Sequence, residues 1–176
     1  MMPNQDYFIS IMKTLGISRS DTVVTYDYGN GLHAHRTAFM FQAMGHPSVR
    51  VLDGSFAKWI REGREVESSE VEDSEFDYAY SGTYITDYEG IRSLSKRGAQ
   101  IVDARSSEDF AKGNIPSAVN IPAANFLSED GTMKSSEELK AIFADANVDL
   151  SLPTTYSCGR GLMATAARAA ALKAGA

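Results

Sequence analysis

The chain holds a single cysteine, Cys158, in the stretch Tyr156-Ser-Cys158-Gly-Arg-Gly161-Leu-Met-Ala164. A cysteine thiolate is an intrinsically strong nucleophile, so the surroundings decide whether this sulfur reacts. Residues 152–156, Leu-Pro-Thr-Thr-Tyr, are short and bounded by proline, as a strand is. Residues 164–172 are alanine-rich and predict a helix. A strand, a glycine loop and a helix N-terminus bring backbone N–H groups and a positive helix end toward the sulfur. Such a setting favours ionised sulfur and cradles an anion. Gly159 and Gly161 let the loop turn its amides inward. The alternative is a buried cysteine acting as a small hydrophobe. A Cys–His dyad finds no support, because His33, His35 and His46 all lie in the first third of the chain. They read as surface or structural residues.

The elements that must hold this loop alternate in type. Apolar spacing predicts a helix over residues 6–15, then a buried strand over 22–26 and a loop over 27–31. A helix over 33–44, a strand over 49–52 and a short helix over 55–62 follow, with Ser55 as its N-cap. Residues 65–77 are acidic and serine-containing, as a solvated linker between domains is. Beyond it come a weak helix over 87–95, a buried strand over 100–103, a short helix over 107–112 and a loop over 113–122. Residues 135–143 open with a capping box, Ser135 to Glu138. Strands alternating with helices predict an α/β fold with a mostly parallel central sheet flanked by helices.

The chain also repeats itself. A shift of 130 residues carries Thr25-Tyr-Asp-Tyr-Gly-Asn-Gly-Leu-His-Ala34 onto Thr155-Tyr-Ser-Cys-Gly-Arg-Gly-Leu-Met-Ala164 without a gap, and Gly45 onto Gly175. A duplicated strand–loop–helix unit explains this. Tyr28 takes the place of the cysteine, so only the second copy can do thiolate chemistry. The domains expected are a first repeat over 1–67, an acidic linker over 68–85 and a catalytic repeat over 86–176.

Composition narrows the function. A net charge of −6 over 176 residues, with no basic run, argues against nucleic acid as the main partner. No apolar stretch is long enough to span a bilayer, and the N-terminus has neither a signal-peptide core nor a transit-peptide character. One cysteine makes no internal disulfide, which fits a reducing compartment, and cannot build a cysteine-based zinc site. The cytoplasm is the default location, with the mitochondrion as the alternative.

Cys158-Gly-Arg-Gly-Leu-Met-Ala164 resembles the active-site loop of rhodanese-type sulfurtransferases, a Cys-x-x-Gly-Val-Thr-Ala pattern. Ile101-Val-Asp-Ala-Arg105, Gly113-Asn-Ile-Pro-Ser-Ala-Val-Asn-Ile-Pro122 and Asp53-Gly-Ser-Phe-Ala-Lys-Trp59 resemble three further signatures of the family. Their order is most similar to tandem-domain thiosulfate and 3-mercaptopyruvate sulfurtransferases, and the resemblance covers nearly the whole chain. The resemblance implies a rhodanese-like fold of two incomplete repeats, the first inactive, and looks partial at both ends. The second repeat would then lack its last strand and helix.

It further implies transfer of a sulfane sulfur from thiosulfate or 3-mercaptopyruvate to a thiol or cyanide acceptor, through a persulfide on Cys158 and without a cofactor or metal. Arg105 becomes a substrate-anion residue, its alternative being a structural pair with Asp103, Glu108 or Asp109. Arg160 becomes a fixed charge for an anionic donor, or else a solvent-exposed loop arginine. Gly159, Gly161, Leu162 and Met163 complete the substrate loop. The sequence departs from the pattern at Leu162-Met163 (for Val-Thr), Asn114 (for His) and Ser117 (for Gly). A basic residue often found before Gly113 is represented at most by Lys112. Phosphatases with Cys-x5-Arg loops are disfavoured, because the arginine position is Ala164. The alternatives that remain are an inactive rhodanese-like binding or regulatory module and a truncated sulfurtransferase gene product. A homodimer is the one macromolecular partner expected.

Overall fold

A computed structural model describes residues 2–68, 72, 74–75 and 84–176. The chain forms two compact units, Met1–Ile85 and Thr86–Ala176. Most of the acidic segment expected over 68–85 lies outside the described residues. Where it is described it is not merely solvated. Ser74 donates through its backbone N–H to the Lys13 carbonyl and through Oγ to the Ile17 carbonyl, at 3.1 and 2.7 Å. Glu75 pairs with Lys13 at 2.9 Å.

The first unit opens with helix α1 (Gln5–Thr14), capped by the Asn4 side chain, which accepts from the Tyr7 N–H. Strand β1 (Val23–Thr25), helix α2 (Leu32–Ala43), strand β2 (Val49–Val51) and helix α3 (Ser55–Arg61) follow. β1 and β2 pair in parallel, Val23 against Val49. Phe8 and Met12 of α1 close over Phe41 and Met44, with the Phe8 and Phe41 rings edge to face at 5.3 Å. β1 is less buried than its composition suggests. Thr25 is buried, but Val24 is 52% exposed and Tyr26 54%. β1 pairs on one side only among the described residues, and successive side chains of a strand point to opposite faces. Ser55 is not the N-cap of α3. Gly54 is, and Ser55 is instead the first helical residue, at φ 60°, with its Oγ donating to the Gly29 carbonyl at 2.7 Å.

The second unit contains α4 (Tyr88–Lys96), β3 (Gln100–Asp103), α5 (Ser107–Ala111), β4 (Val119–Asn120), a 3₁₀ turn (Ala123–Phe126), α6 (Ser136–Asp145), β5 (Thr154–Ser157) and α7 (Leu162–Ala174). Its strands lie in the order β4-β3-β5, all parallel. Central β3 buries Ile101, Val102 and Asp103. The core continues through Phe126, Leu139 and Phe143, with Phe126 and Phe143 stacked at 5.3 Å. α7 presents Ala166, Ala167, Ala170 and Ala171 as buried residues. Alanine gives helix propensity and, having no longer side chain, lets the helix lie close on its neighbours. The capping box of α6 forms as its sequence predicts, Ser135 accepting from the Glu138 N–H and Glu138 from the Ser135 N–H. The fold is α/β with parallel sheets flanked by helices.

The repeat is structural as well. α2 begins at Leu32 and α7 at Leu162, each after a left-handed glycine, Gly31 at φ 80° and Gly161 at 85°.

Candidate active site

β5 ends at Ser157 and α7 begins at Leu162, so residues 158–161 must turn the chain from strand into helix. Gly161 makes that turn, in a backbone region where a Cβ costs about 1–2 kcal/mol. Its N–H donates to Cys158 Sγ at 3.0 Å. Cys158 is half-buried. Gly159 differs, because its φ is not left-handed and a Cβ there would meet nothing within 4 Å. Only one of the two loop glycines is required by conformation.

The first unit shows what this loop geometry holds. The 130-residue shift places Asp27 where Ser157 stands. The Asp27 carboxylate accepts from the backbone N–H groups of Gly29 at 2.8 Å, Gly31 at 3.1 Å, His33 at 3.0 Å and Ala34 at 3.2 Å. Partial burial pushes its pKa up, but those four bonds together outweigh it and hold the carboxyl below its ordinary value. This loop is thus an anion cradle filled by its own aspartate. In the second unit Ser157 supplies no carboxylate. There the N–H groups of Gly159, Met163 and Ala164 donate to no described residue. Of the loop amides, that of Gly161 is taken by the Cys158 sulfur.

Arg105 follows β3 and is held in place. The Asp103 carboxylate, 1% exposed, accepts from its backbone N–H at 3.0 Å, from Nε at 3.0 Å and from Nη2 at 2.6 Å. Nη2 also donates to the Gly113 carbonyl at 2.7 Å. The bonds to Asp103, then the charges of Asp103, Asp109 and the Cys158 sulfur, raise the guanidinium above its ordinary pKa. Arg105 therefore makes the structural pair with Asp103 and still lines a cleft of about 720 Å³ together with Cys158 and Gly159. Nη1 has no acceptor among the described residues.

Asn120, a residue without an assigned role in the sequence reading, locks this turn. Its Nδ2 donates to the carbonyls of Asp103 and Arg105 at 3.0 and 2.9 Å, and its Oδ1 accepts from Ser107 Oγ. The structure does not bring Arg160, Leu162 or Met163 into the cleft wall. Arg160 is exposed and forms no hydrogen bond or ion pair with a described residue, as a solvent-facing arginine does. Leu162 and Met163 are half-buried in the first turn of α7. Lys112 is paired with Glu108 and Asp109 at 2.9 and 3.1 Å, outside the cleft.

Residues 2–62 and 88–176 match the rhodanese-like domain family. The chain belongs to that family. Mouse 3-mercaptopyruvate sulfurtransferase is 38% identical over 180 residues, covering 93% of this chain and 61% of the mouse protein. Thiosulfate sulfurtransferase of Cricetulus griseus is 36% identical over 181 residues, with the same shares. The crystal structure of SseA from Escherichia coli, described with the 3-mercaptopyruvate enzymes, aligns with a TM-score of 0.89 at 30% identity, over 99% of this chain and 70% of SseA. The chain spans about three-fifths of the length of the curated relatives it matches. One departure from the rhodanese-like pattern now has a physical cost. Ser117 stands at φ 69°, a conformation that glycine adopts without penalty. Asn114, the other departure in that loop, is exposed and donates to the Phe110 carbonyl at 3.2 Å. No described helix is long and apolar enough to cross a membrane.

Proposed function

We propose that this chain transfers sulfane sulfur, with Cys158 as the carrier. The observation that bears most weight is the Gly161 N–H donated to Cys158 Sγ, in a loop whose twin holds a full carboxylate on four N–H groups. The rhodanese-like membership and the named sulfurtransferase relatives support the same reading.

The Cys158 thiolate attacks the outer sulfur of thiosulfate. The S–S bond of the donor breaks and sulfite leaves with the electron pair. With 3-mercaptopyruvate the C–S bond breaks instead, and the carbon keeps the pair and takes a proton, giving pyruvate. Either way Cys158 holds one extra sulfur as a persulfide, whose negative charge rests on the loop amides. Cyanide or a thiolate then attacks that outer sulfur, and Cys158 leaves as the thiolate it was. Arg105, aimed by Asp103 and Asn120, supplies a fixed positive charge beside the reacting sulfur. Arg160 adds a second, solvent-facing charge for an anionic donor.

The test is incubation of the purified chain with thiosulfate, followed by mass spectrometry. One sulfur mass should appear on Cys158, disappear with cyanide as thiocyanate forms, and be absent from Cys158→Ser. A folded protein that gains no sulfur would refute the proposal.

A further inference from the structure

Tyr7, Leu15, Val24 and Tyr26 are large apolar residues left exposed in the first unit, and all four line one groove. The groove holds about 630 Å³, with Ile11 of α1 and Met40 of α2 in its walls. β1 lines it and β2 does not, so it lies on the side of β1 away from β2. No charged side chain lines it. A contiguous apolar surface of this kind marks a place where another molecule sits.

Main chain with unmade hydrogen bonds borders the groove. Val23 donates its N–H to the Ser48 carbonyl at 3.0 Å, and the Thr25 carbonyl accepts from the Leu52 N–H at 2.9 Å. Both residues therefore turn their peptide groups toward β2. Alternate residues of a strand point these groups to opposite edges, which sends the N–H and carbonyl of Val24 to the bare side. The two edges of this sheet differ in one further respect. β2 carries exposed Arg50 at its centre, a charge of the kind that keeps edges apart, whereas β1 carries a valine there.

Symmetry says which partner satisfies such an edge. An isologous contact sets the same surface on both copies, and an uncharged apolar groove meets no repulsion from itself. We infer that the bare edge of β1 is a homodimer interface, an antiparallel β1–β1 ladder with its two-fold axis at Val24. Each Val24 donates its N–H to the carbonyl of the other, and Thr22 lies opposite Tyr26 of the second copy. Two two-stranded sheets become one of four strands, in the order β2-β1-β1-β2. The same closure takes Tyr7, Leu15 and Tyr26 out of water.

The full chain, carrying Cys158→Ser to remove its own thiol, is tested for mass and for register. Sedimentation velocity should show a monomer–dimer equilibrium with no larger species. Val24→Lys and Val24→Glu should each weaken the dimer at least tenfold, because like charges then face each other across the axis. An equimolar mixture of the two should restore it, which misfolded variants could not do. Val24→Cys should form a disulfide-linked dimer under mild oxidation. A hydrogen-bonded antiparallel pair sits about 5.5 Å apart at Cα, within disulfide reach. Val23→Cys should not link to itself, because position 25 of the second copy lies opposite. Thr22→Cys should link only when mixed with Tyr26→Cys. A mass that stays monomeric over a hundredfold range of concentration overturns the interface. So does a dimer that Val23→Cys links as fast as Val24→Cys, or one that the charge mixture fails to restore.

Discussion

Replacing Ser157 with aspartate should turn the Cys158 loop into a copy of its counterpart in the first unit. The new carboxylate would occupy the position that Asp27 holds in the first unit, on amides equivalent to those of Gly29, Gly31, His33 and Ala34. It would compete for the amides with the sulfur and would repel it. Two unit charges about 4 Å apart interact by about 4 kcal/mol at an effective dielectric near 20. Cys158 is only half-buried, so screening by water reduces this to about 2 kcal/mol. At 1.36 kcal/mol per decade, alkylation of Cys158 should slow about 30-fold. The assay is the rate of iodoacetamide alkylation at pH 7, read by mass spectrometry, beside persulfide loading from thiosulfate. Ser157→Asn controls for size, and a thermal melt controls for folding. The melt of Ser157→Asp should be unchanged or higher, since hydrogen bonds to an ionised acceptor stabilise. If Ser157→Asp alkylates and loads sulfur at the wild-type rate, the anion-cradle argument is wrong.

Other expectations follow from the same geometry. Gly161→Ala should cost about 1–2 kcal/mol in urea unfolding and slow persulfide loading, because the left-handed turn aims the N–H at Sγ, whereas Gly159→Ala should stay within about 0.5 kcal/mol. Asp27→Asn should lower stability by about 1–2 kcal/mol at pH 7, a value already discounted for exposure. The Asp27 pKa is depressed in the folded state, so its contribution is present above the unfolded value near about 4 and is lost as pH falls through the folded one. Wild type and Asp27→Asn should therefore converge in denaturant titrations once pH has fallen far enough to protonate Asp27 in the folded protein, and a difference that persists after that titration is complete would count against the assignment. The second edge of β1 carries no strand among the described residues and Val24 is 52% exposed, so the protein should self-associate with concentration in light scattering and Val24→Lys should reverse it. A wild-type chain of constant mass over a hundredfold dilution would refute that edge argument.

Much of the architecture was legible because local signals agreed with one another. The Ser135…Glu138 capping box, the alanine-rich α7 and the glycines that open α2 and α7 each name their own element. The strand–loop–helix setting of Cys158 was legible for the same reason. What stayed hidden depends on contacts distant in sequence. β4 is two residues long inside a loop rich in proline and glycine, and it exists because Val119 meets Val102 on the central strand. Ser55 looked like a cap, but its hydroxyl answers a carbonyl 26 residues away. β1 looked buried from its valines, yet burial depends on whether a second neighbour is present. The cleft-lining face of α4 was written in the i, i+3, i+4 spacing of Tyr88, Ile91 and Arg92. A weakly helical composition drew attention away from it.

The duplication supplies a comparison within one molecule that separates backbone from side chain. Both loops pass through a left-handed glycine into a helix start; in the first, four N–H groups meet on Asp27, and in the second the Gly161 N–H meets Cys158 Sγ. The first copy fills its loop with Asp27, and the adjacent Tyr28 is 81% exposed with its ring against Phe56 at 5.0 Å. The other replaces the carboxylate with Ser157 and puts Cys158 next to it. In the first unit the loop amides hold the Asp27 carboxyl below its ordinary pKa. A cradle built for one fixed charge suits a thiolate, a persulfide and a departing thiolate alike, which are the states a sulfur carrier must pass through. Two adjacent substitutions then suffice to divide a structural anion from a reactive one. Asp103 and Asn120 fix the turn that carries Arg105 in the second unit.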